Sequence, residues 1–588
     1  MYTMPLPTLL QLSEMSPHEE LQADGKLVVF ASHMGKAAFV SHQWRDREHP
    51  DPECVQLRVL QQAFNYMLES AREIPVDLGT EGLVPGAKSM STAALRTSSV
   101  FIWYDYFSCP QLDHEVGLLS QDGTVTKCQS ELDKAVSSIP AYIARCSFFF
   151  ALCPVVENSS LSKLLTPGTW ASRGWCRAER TFRELSDDAS WIMIKSATEV
   201  EMVISPVLTL GGSPGHGEFT DAADRPKLAT ALVKTIRRKL LQQLKHGDLV
   251  SYRVLRNLHT VHLRGLPAEP VRDLIPDFAP CCTCRSPVPL FLHEMGFEKI
   301  SDVDVKGWSP LHYAALGGDP ELIMGLLEQR ADPQSLTKGS QPQVEMPPFV
   351  SALAIAISLK HHQAARLLLE AGAQVGAGVV TPPMCFAAMV NSPEGIRMLC
   401  SAGGSLDTTN LFGFSTFELA AAYGAVEALE EILLQANHRA CAPNLSRALY
   451  SAMVFRGGSA ELVWRLIGLQ ADVNYQWKQR HMSLWGMYTA FKSLQYRCGK
   501  KTTSTRVFSE LAGSTPLMAA IKSGQYEGAA ALITAGARLD IRNCHNRTAA
   551  DWAQEYPVPA FLHEALEGDP SECQRICSLA LENSLLEM

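Results

Sequence analysis

Residues Lys306 to Pro333, KGWSPLHYAALGGDPELIMGLLEQRADP, constrain this chain more than any other stretch. They spell one complete helix–turn–helix. Ser309 is placed to N-cap a first helix, and Pro310 at its first position gives up only an N–H that has no helical partner. Leu311, Ala314 and Ala315 form a narrow apolar stripe whose small side chains let a second helix come close. Gly317-Gly318-Asp319-Pro320 ends the first helix and starts the next. Leu322, Ile323, Leu326 and Leu327 then recur at helical spacing, and Ala331-Asp332-Pro333 closes the unit.

Weaker copies fill the rest of the second half. Aligned on Ser309, they begin at Ser351, Pro382, Ser415, Arg447, Thr515 and Thr548, with gaps of 42, 31, 33, 32, 68 and 33 residues. The second helices recur at Ala364–Leu369, Gly395–Leu399, Ala428–Leu433, Glu461–Ile467 and Gly528–Ile533. The gap of 42 marks an insertion at Leu336–Pro348, and the gap of 68 holds either one degenerate repeat or one long loop. A period near 33 and the string Ser309-Pro310-Leu311-His312-Tyr313-Ala314-Ala315 resemble the ankyrin repeat. The resemblance implies an all-α solenoid that binds a protein partner on its concave face, with His312 tying turns together by hydrogen bonds.

The first half alternates strand and helix. Strands are predicted at Lys36–Trp44, Ser99–Phe107, Ser147–Val156 and Trp191–Lys195. Helices are predicted at Val55–Ile74, Leu132–Cys146 with a break or kink at Pro140, Trp175–Leu185 and Lys227–Leu244. Pro75–Ser99 reads as an exposed excursion. This alternation predicts a parallel sheet with polar groups gathered at the strand C-terminal ends.

Three segments carry a second resemblance: Phe39-Val40-Ser41-His42-Gln43-Trp44, Ile102-Trp103-Tyr104-Asp105, and Ser172-Arg173-Gly174-Trp175-Cys176-Arg177-Ala178-Glu179. Together they are similar to Toll/interleukin-1 receptor (TIR) domains, the last to the S-x-x-W-C-x-x-E segment of the plant type. The chain departs from that pattern in having Ser-His-Gln-Trp in place of Ser-Tyr-Arg-Arg, and in insertions at Pro75–Thr97 and Leu112–Ser130. The likeness implies a flavodoxin-like α/β fold. In catalytic members the glutamate matching Glu179 is required for cleaving NAD at the nicotinamide–ribose bond, so Glu179 is the candidate catalytic residue. Ser41, His42, Trp44, Asp105 and Trp175 are the candidate substrate-binding residues. A carboxylate beneath a breaking N-glycosidic bond would stabilise oxocarbenium charge. The competing reading pairs Glu179 with Arg183, one turn on, in an exposed ion pair. For Ser41, His42 and Trp44 it is strand-end packing, and for Asp105 a turn cap.

The expected organisation is an N-terminal lead-in (1–35), the TIR-like domain (36–265), a Pro/Cys linker (266–289), about seven ankyrin units (290–560) and a C-terminal helical cap (561–588). Within the array, 475–511 is basic and aromatic. Trp477, Lys478, Arg480, Trp485, Lys500 and Lys501 are candidate partner-binding residues, if these aromatics do not simply fill a degenerate repeat. Net charge is −9, which gives no global electrostatic case for nucleic acid. The 16 cysteines are dispersed, as expected of free thiols in a reducing compartment, and the N-terminus lacks a basic n-region. A cytoplasmic location follows as an expectation.

Some motifs fail on chemistry. Gly211-Gly212-Ser213-Pro214-Gly215 has nucleophile-elbow spacing, but Pro214 lacks the N–H an oxyanion hole requires. Cys281 and Cys284 form a single C-x-x-C near His293, without a second pair. No metal or cofactor is required, and NAD enters only as a substrate of the enzymatic reading. The leading function is a signalling scaffold in which the repeats choose a partner and the α/β domain self-associates. The alternatives are an NAD nucleosidase regulated by the repeats and a structural adaptor with an inactive α/β domain.

Overall fold

A computed structural model describes residues 1–586 apart from 47, 84–86, 112–117, 120–124, 127–130, 159–162, 204–211, 273, 276–285, 437–441, 479–482 and 557. Seven strands make one sheet: β1 (Tyr2–Pro5), β2 (Val28–Val29), β3 (Lys36–His42), β4 (Val100–Tyr104), β5 (Phe148–Leu152), β6 (Trp191–Ile194) and β7 (Val200–Val203), in the order β7-β6-β5-β3-β4-β1-β2. The central four are parallel. Taken by chain order their arrangement is 2-1-3-4, as in flavodoxin-like sheets.

The sheet is mixed rather than parallel throughout. β7 pairs antiparallel with β6, and β1 antiparallel with both β4 and β2. The lead-in therefore supplies an edge of the sheet. The four residues of β1, YTMP, are too few to show a period, and Pro5 is tolerated because it ends the strand, beyond the two residues that pair with β2. The helix begun at Val55 gives way after Asn65 to a wider turn at Tyr66–Ser70, so it stops short of Ile74. The helix Glu131–Arg145 runs through Pro140 instead of ending there.

Both faces of the sheet are covered, so its strands are apolar throughout. Ala38, Val40, Ile102, Tyr104 and Phe150 share one core with the helix Val55–Asn65. Phe39, Trp103, Phe149 and Trp191 point into a second core, where Phe39 stacks on Trp103 at 4.3 Å. This second core continues without a break through Leu255 and Leu258 into Leu311 and the whole helical array.

Among the described residues the array has seven helix pairs, opening at Pro310, Ala352, Pro383, Thr416, Ala442, Pro516 and Ala549. Ser351, Ser415, Thr515 and Thr548 each accept a backbone N–H three residues on. At Arg447 the predicted start falls inside a longer helix, Ala442–Val454, and the guanidinium instead reaches back to Glu418 at 2.8 Å. That helix packs directly on Pro516–Ser523, so the fifth and sixth pairs stack on each other. The 68-residue gap is thus an insertion that the stack bypasses. It carries two helices of its own, Leu484–Arg497 and Thr503–Phe508.

His312 behaves as the repeat resemblance implies: its Nδ1 accepts the Ser309 N–H at 3.1 Å and its Nε2 bonds the Ser335 carbonyl at 3.1 Å. A helix, Val288–Met295, crosses the expected boundary between linker and repeats and packs on Pro320–Glu328; Cys281 and Cys284 lie outside the described residues. The final helix, Ser571–Leu586, packs on Ala460–Gly468 and Tyr526–Thr534.

The α/β domain meets the array in several places. The helix Leu249–His262 lies on the first repeat helix, Pro310–Gly317. Asp77 pairs with Arg456 at 3.4 Å, and Glu81 with Lys492 at 3.2 Å. Glu199, in the β6–β7 hairpin, pairs with Arg506 at 2.8 Å, and Glu157 with Arg575 near the end of the array. Among the described residues no helix is long and apolar enough to cross a membrane.

Candidate functional site

β3 and β4 run parallel, so their C-terminal ends deliver side chains to the same edge of the sheet. β3 ends in Ser41 and His42, and Asp105 directly follows β4. Asp105 Oδ1 accepts from His42 Nε2 at 2.7 Å and from the Tyr106 N–H at 2.6 Å, while Oδ2 accepts from the Trp44 indole at 2.8 Å. Asp105 therefore caps the turn after β4 and also joins the two candidates from β3. The His42 ring stacks on Tyr104 with centroids 3.9 Å apart, and its Nδ1 meets the Tyr104 hydroxyl at 3.1 Å. Beyond β3, Arg45 pairs with the fully buried Asp51, whose carboxylate accepts the first N–H groups of the helix Val55–Asn65.

Glu179 arrives from the other side, on the helix Gly174–Glu184, partly buried. Its carboxyl bonds to Ser41. The exposed Glu179–Arg183 ion pair is not formed. Arg183, one turn on, is buried and turned away, donating to the carbonyls of Ser190 and Cys146 and pairing with Asp188 at 2.9 Å. Spacing of one turn allowed the pair, but the backbone carbonyls at the start of β5 and β6 hold the guanidinium. Trp175 donates its indole N–H to Asp224 at 2.8 Å, on the helix Asp224–Lys245, and not to the cluster of Ser41, His42 and Asp105.

Two contributors escaped the sequence reading. The Trp170 indole, fully buried, donates to Ser41 Oγ at 3.1 Å, so Ser41 lies between Trp170 and Glu179. Cys176 Sγ donates to the His42 carbonyl at 3.6 Å. The plain sign of Trp170 was its place directly after Thr166–Thr169, a capping box that opens the short helix Pro167–Ser172.

The cluster divides its charge. Burial pushes the Glu179 carboxyl up to about 8, against the bond from Ser41. Burial alone would raise Asp105 and lower His42. Their mutual attraction and hydrogen bonds outweigh it, so Asp105 is held low and His42 high. Near neutral pH the site thus holds a protonated carboxyl beside an ionised one, two acids set apart by their environments. Asp105→Asn is expected to cost about 1–2 kcal/mol, because the carboxylate is partly open to solvent. His42 is raised by this partner, so its share of stability is present at low pH and lost as pH climbs through its folded value. Thermal melts across about pH 5–8 should show that loss in the parent and a flatter profile in the variant.

A cavity of about 400 Å³ opens elsewhere, between Leu185–Ala189, the helices Asp224–Lys245 and Leu249–His262, and Gln343. It lacks a comparable acid pair, and burial holds its His262 near 4, neutral at physiological pH. Among the described residues no group of His, Cys, Asp and Glu is arranged to hold a metal ion.

A family model for the ankyrin repeat matches residues 306–338 and 512–544. The second half of the chain is an ankyrin-repeat array. A crystal structure of the human ASB11 ankyrin repeat domain is similar to this chain at 24% identity and a TM-score of 0.32, covering 44% of this chain and 97% of that one. No curated protein matches the chain. Both family-model matches lie in the array.

The ankyrin array distributes its candidate partner-binding residues unevenly. Trp477 is buried and stacks on Tyr450 at 4.8 Å, under Arg447. Trp485 packs among Phe412, Phe414 and Phe508. These two indoles are core, because the insertion must bury something to stay folded against the repeats. Lys478, Lys500 and Lys501 are exposed, and Arg480 lies outside the described residues. Lys492 and Arg506, from the same basic stretch, face Glu81 and Glu199 of the α/β domain.

Proposed function

We propose that the chain is a cytoplasmic signalling scaffold, in which the ankyrin repeats bind a protein partner and the TIR-like α/β domain passes the signal on by self-association. The observation that carries this reading is the docking of the two halves. Glu81 is gripped by Lys492, by the Ser504 N–H at 2.8 Å and by the Thr502 hydroxyl at 2.7 Å, while Glu199 meets Arg506. A partner that strains the array is thereby coupled to the α/β domain through contacts that differ between docked and undocked states. Sedimentation velocity of the full chain over a wide concentration range tests self-association. A shift to dimers or larger species is expected, and a monomer at every concentration would remove that part of the reading.

A second reading, cleavage of the nicotinamide–ribose bond of NAD, is favoured by one specific arrangement. Glu179, whose carboxyl is pushed up to about 8, shares Ser41 and its surroundings with Asp105, held low, and His42, held high. In this reading nicotinamide leaves as a neutral base with the bonding pair, Glu179 in its ionised form takes the proton of the attacking water, and Asp105 is the fixed charge beneath developing oxocarbenium character. If neither activity is found, the α/β domain is an inactive structural adaptor.

A further inference from the structure

The insertion helix Leu484–Arg497 has two unlike faces. One is anchored: Trp485 packs on Phe414 and Phe508 at 4.9 and 5.0 Å, and Lys492 reaches Glu81. The other is bare. Leu484, Met487, Phe491 and Leu494 are 49%, 52%, 56% and 58% exposed. Their spacing of three, four and three residues puts them in one line along the helix. Single exposed apolar residues are ordinary, but four in one seam on a helix already held by its opposite face form a surface.

The surroundings are basic. Lys478, Arg497, Lys500 and Lys501 are exposed, and none enters an ion pair among the described residues. Arg497 meets only the imidazole of His545, at 3.2 Å. The sequence from Tyr475 to Ser509 contains no Asp or Glu, in a chain whose net charge is −9.

We propose that this seam is the docking face for an acidic amphipathic helix of a protein partner; this rests on the partner-binding reading of the ankyrin array and gives it an address. Apolar residues of the partner at the same spacing would cover Leu484, Met487, Phe491 and Leu494. Its flanking carboxylates would meet Arg497, Lys500, Lys501 and Lys478. A second copy of the chain fits poorly, since it would set one basic cluster against another. Single-stranded nucleic acid needs a row of exposed rings for stacking, whereas this seam offers Phe491 with Trp477, Trp485 and Tyr488 turned inward. A lipid surface calls for a wide apolar face, whereas a seam of this spacing is the narrow one that helix pairs use.

The test uses the full chain and a fluorescein-labelled synthetic helix of about 21 residues with Leu at its a and d positions and Glu at e and g. The control peptide carries Lys in place of Glu. Anisotropy titration should show the Glu peptide binding at least about ten-fold tighter than the Lys peptide, which is the sense of the charge complementarity. Phe491→Glu is expected to weaken it at least about ten-fold with little change in the thermal melt, since more than half of this residue is open to solvent. Lys500→Glu with Lys501→Glu should shift preference toward the Lys peptide. Absence of binding, or equal binding of both peptides, would overturn the proposal. Binding that Phe491→Glu leaves untouched would overturn it too, while keeping the array as a protein-binding surface with its site elsewhere. So would a Phe491-dependent dimer, or Phe491-dependent binding of oligo-dT or of phosphatidylserine vesicles, each of which hands the seam to a different occupant.

Discussion

Arg506→Ala is expected to destabilise the full chain by about 3–5 kcal/mol and to loosen the α/β domain from the repeats. Arg506 comes from the insertion and is 19% exposed in its side chain; Glu199 and Glu201, from the β6–β7 hairpin, are 9% and 8% exposed. Lys195 covers Glu201 at 2.8 Å, so the four charges balance. Removing the guanidinium leaves Glu199 buried beside a second carboxylate, without its 2.8 Å partner and with Lys195 already paired to Glu201. The penalty is that of an uncompensated buried charge, which exceeds the net worth of the pair itself. Adding Glu199→Gln should therefore recover much of the loss, because the stranded charge is gone. Denaturant unfolding of the two variants measures this. Hydrogen exchange should also show faster opening of the hairpin and of Leu78–Leu83, the helix that holds Glu81, in Arg506→Ala alone. A loss under about 1 kcal/mol would place the pair with solvent-screened surface bridges and would remove it as the clasp between the halves.

Glu179→Gln carries the other large effect. If the α/β domain cleaves NAD, nicotinamide release by the full chain at high protein concentration should fall by about 10²–10⁴-fold in the variant, the usual contribution of a positioned acid or base. Glutamine keeps the volume and a hydrogen bond for Ser41, so the loss would report proton transfer and not collapse of the site. The parent's rate should rise as pH climbs through about 8, where the carboxyl loses its proton and can take one from the attacking water. A readout without substrate exists as well. The folded carboxyl binds its proton up to about 8, whereas an unfolded glutamate releases it near the ordinary value. The folded state thus holds more protons in that interval, and stability falls as pH climbs through it. The glutamine variant should lose this slope. Equal nicotinamide release by parent and variant, or none by a parent that shows the slope, would end the enzymatic reading.

The array was the most legible part of the chain, because a repeat states its own period and each unit meets only its neighbours. Ser309-Pro310-Leu311-His312 announces a cap, a helix start and a turn-binding histidine within four residues, and all three are local interactions. The first half was legible where apolar strands run into polar residues, which is why Ser41, His42, Trp44 and Asp105 could be singled out from order along the chain. Trp170 was not, since its tie to Ser41 joins residues 129 positions apart.

By itself the sequence determined the element types and the repeat period, for these follow from contacts within a few residues. It also located the polar strand ends, because a strand's apolar run must stop where water begins. Only the tertiary structure decided which of two local options each charged group takes. Arg183 turned from Glu179 to the carbonyls of Ser190 and Cys146, and Lys492 and Arg506 turned from solvent to Glu81 and Glu199. The physical reason is that long charged side chains have several partners within reach, and the choice depends on which distant segment brings an acid or a carbonyl out of water beside them. The same packing decided that the insertion's aromatic rings go inward while Leu484, Met487, Phe491 and Leu494 stay outside, a division that helical periodicity allows in either sense.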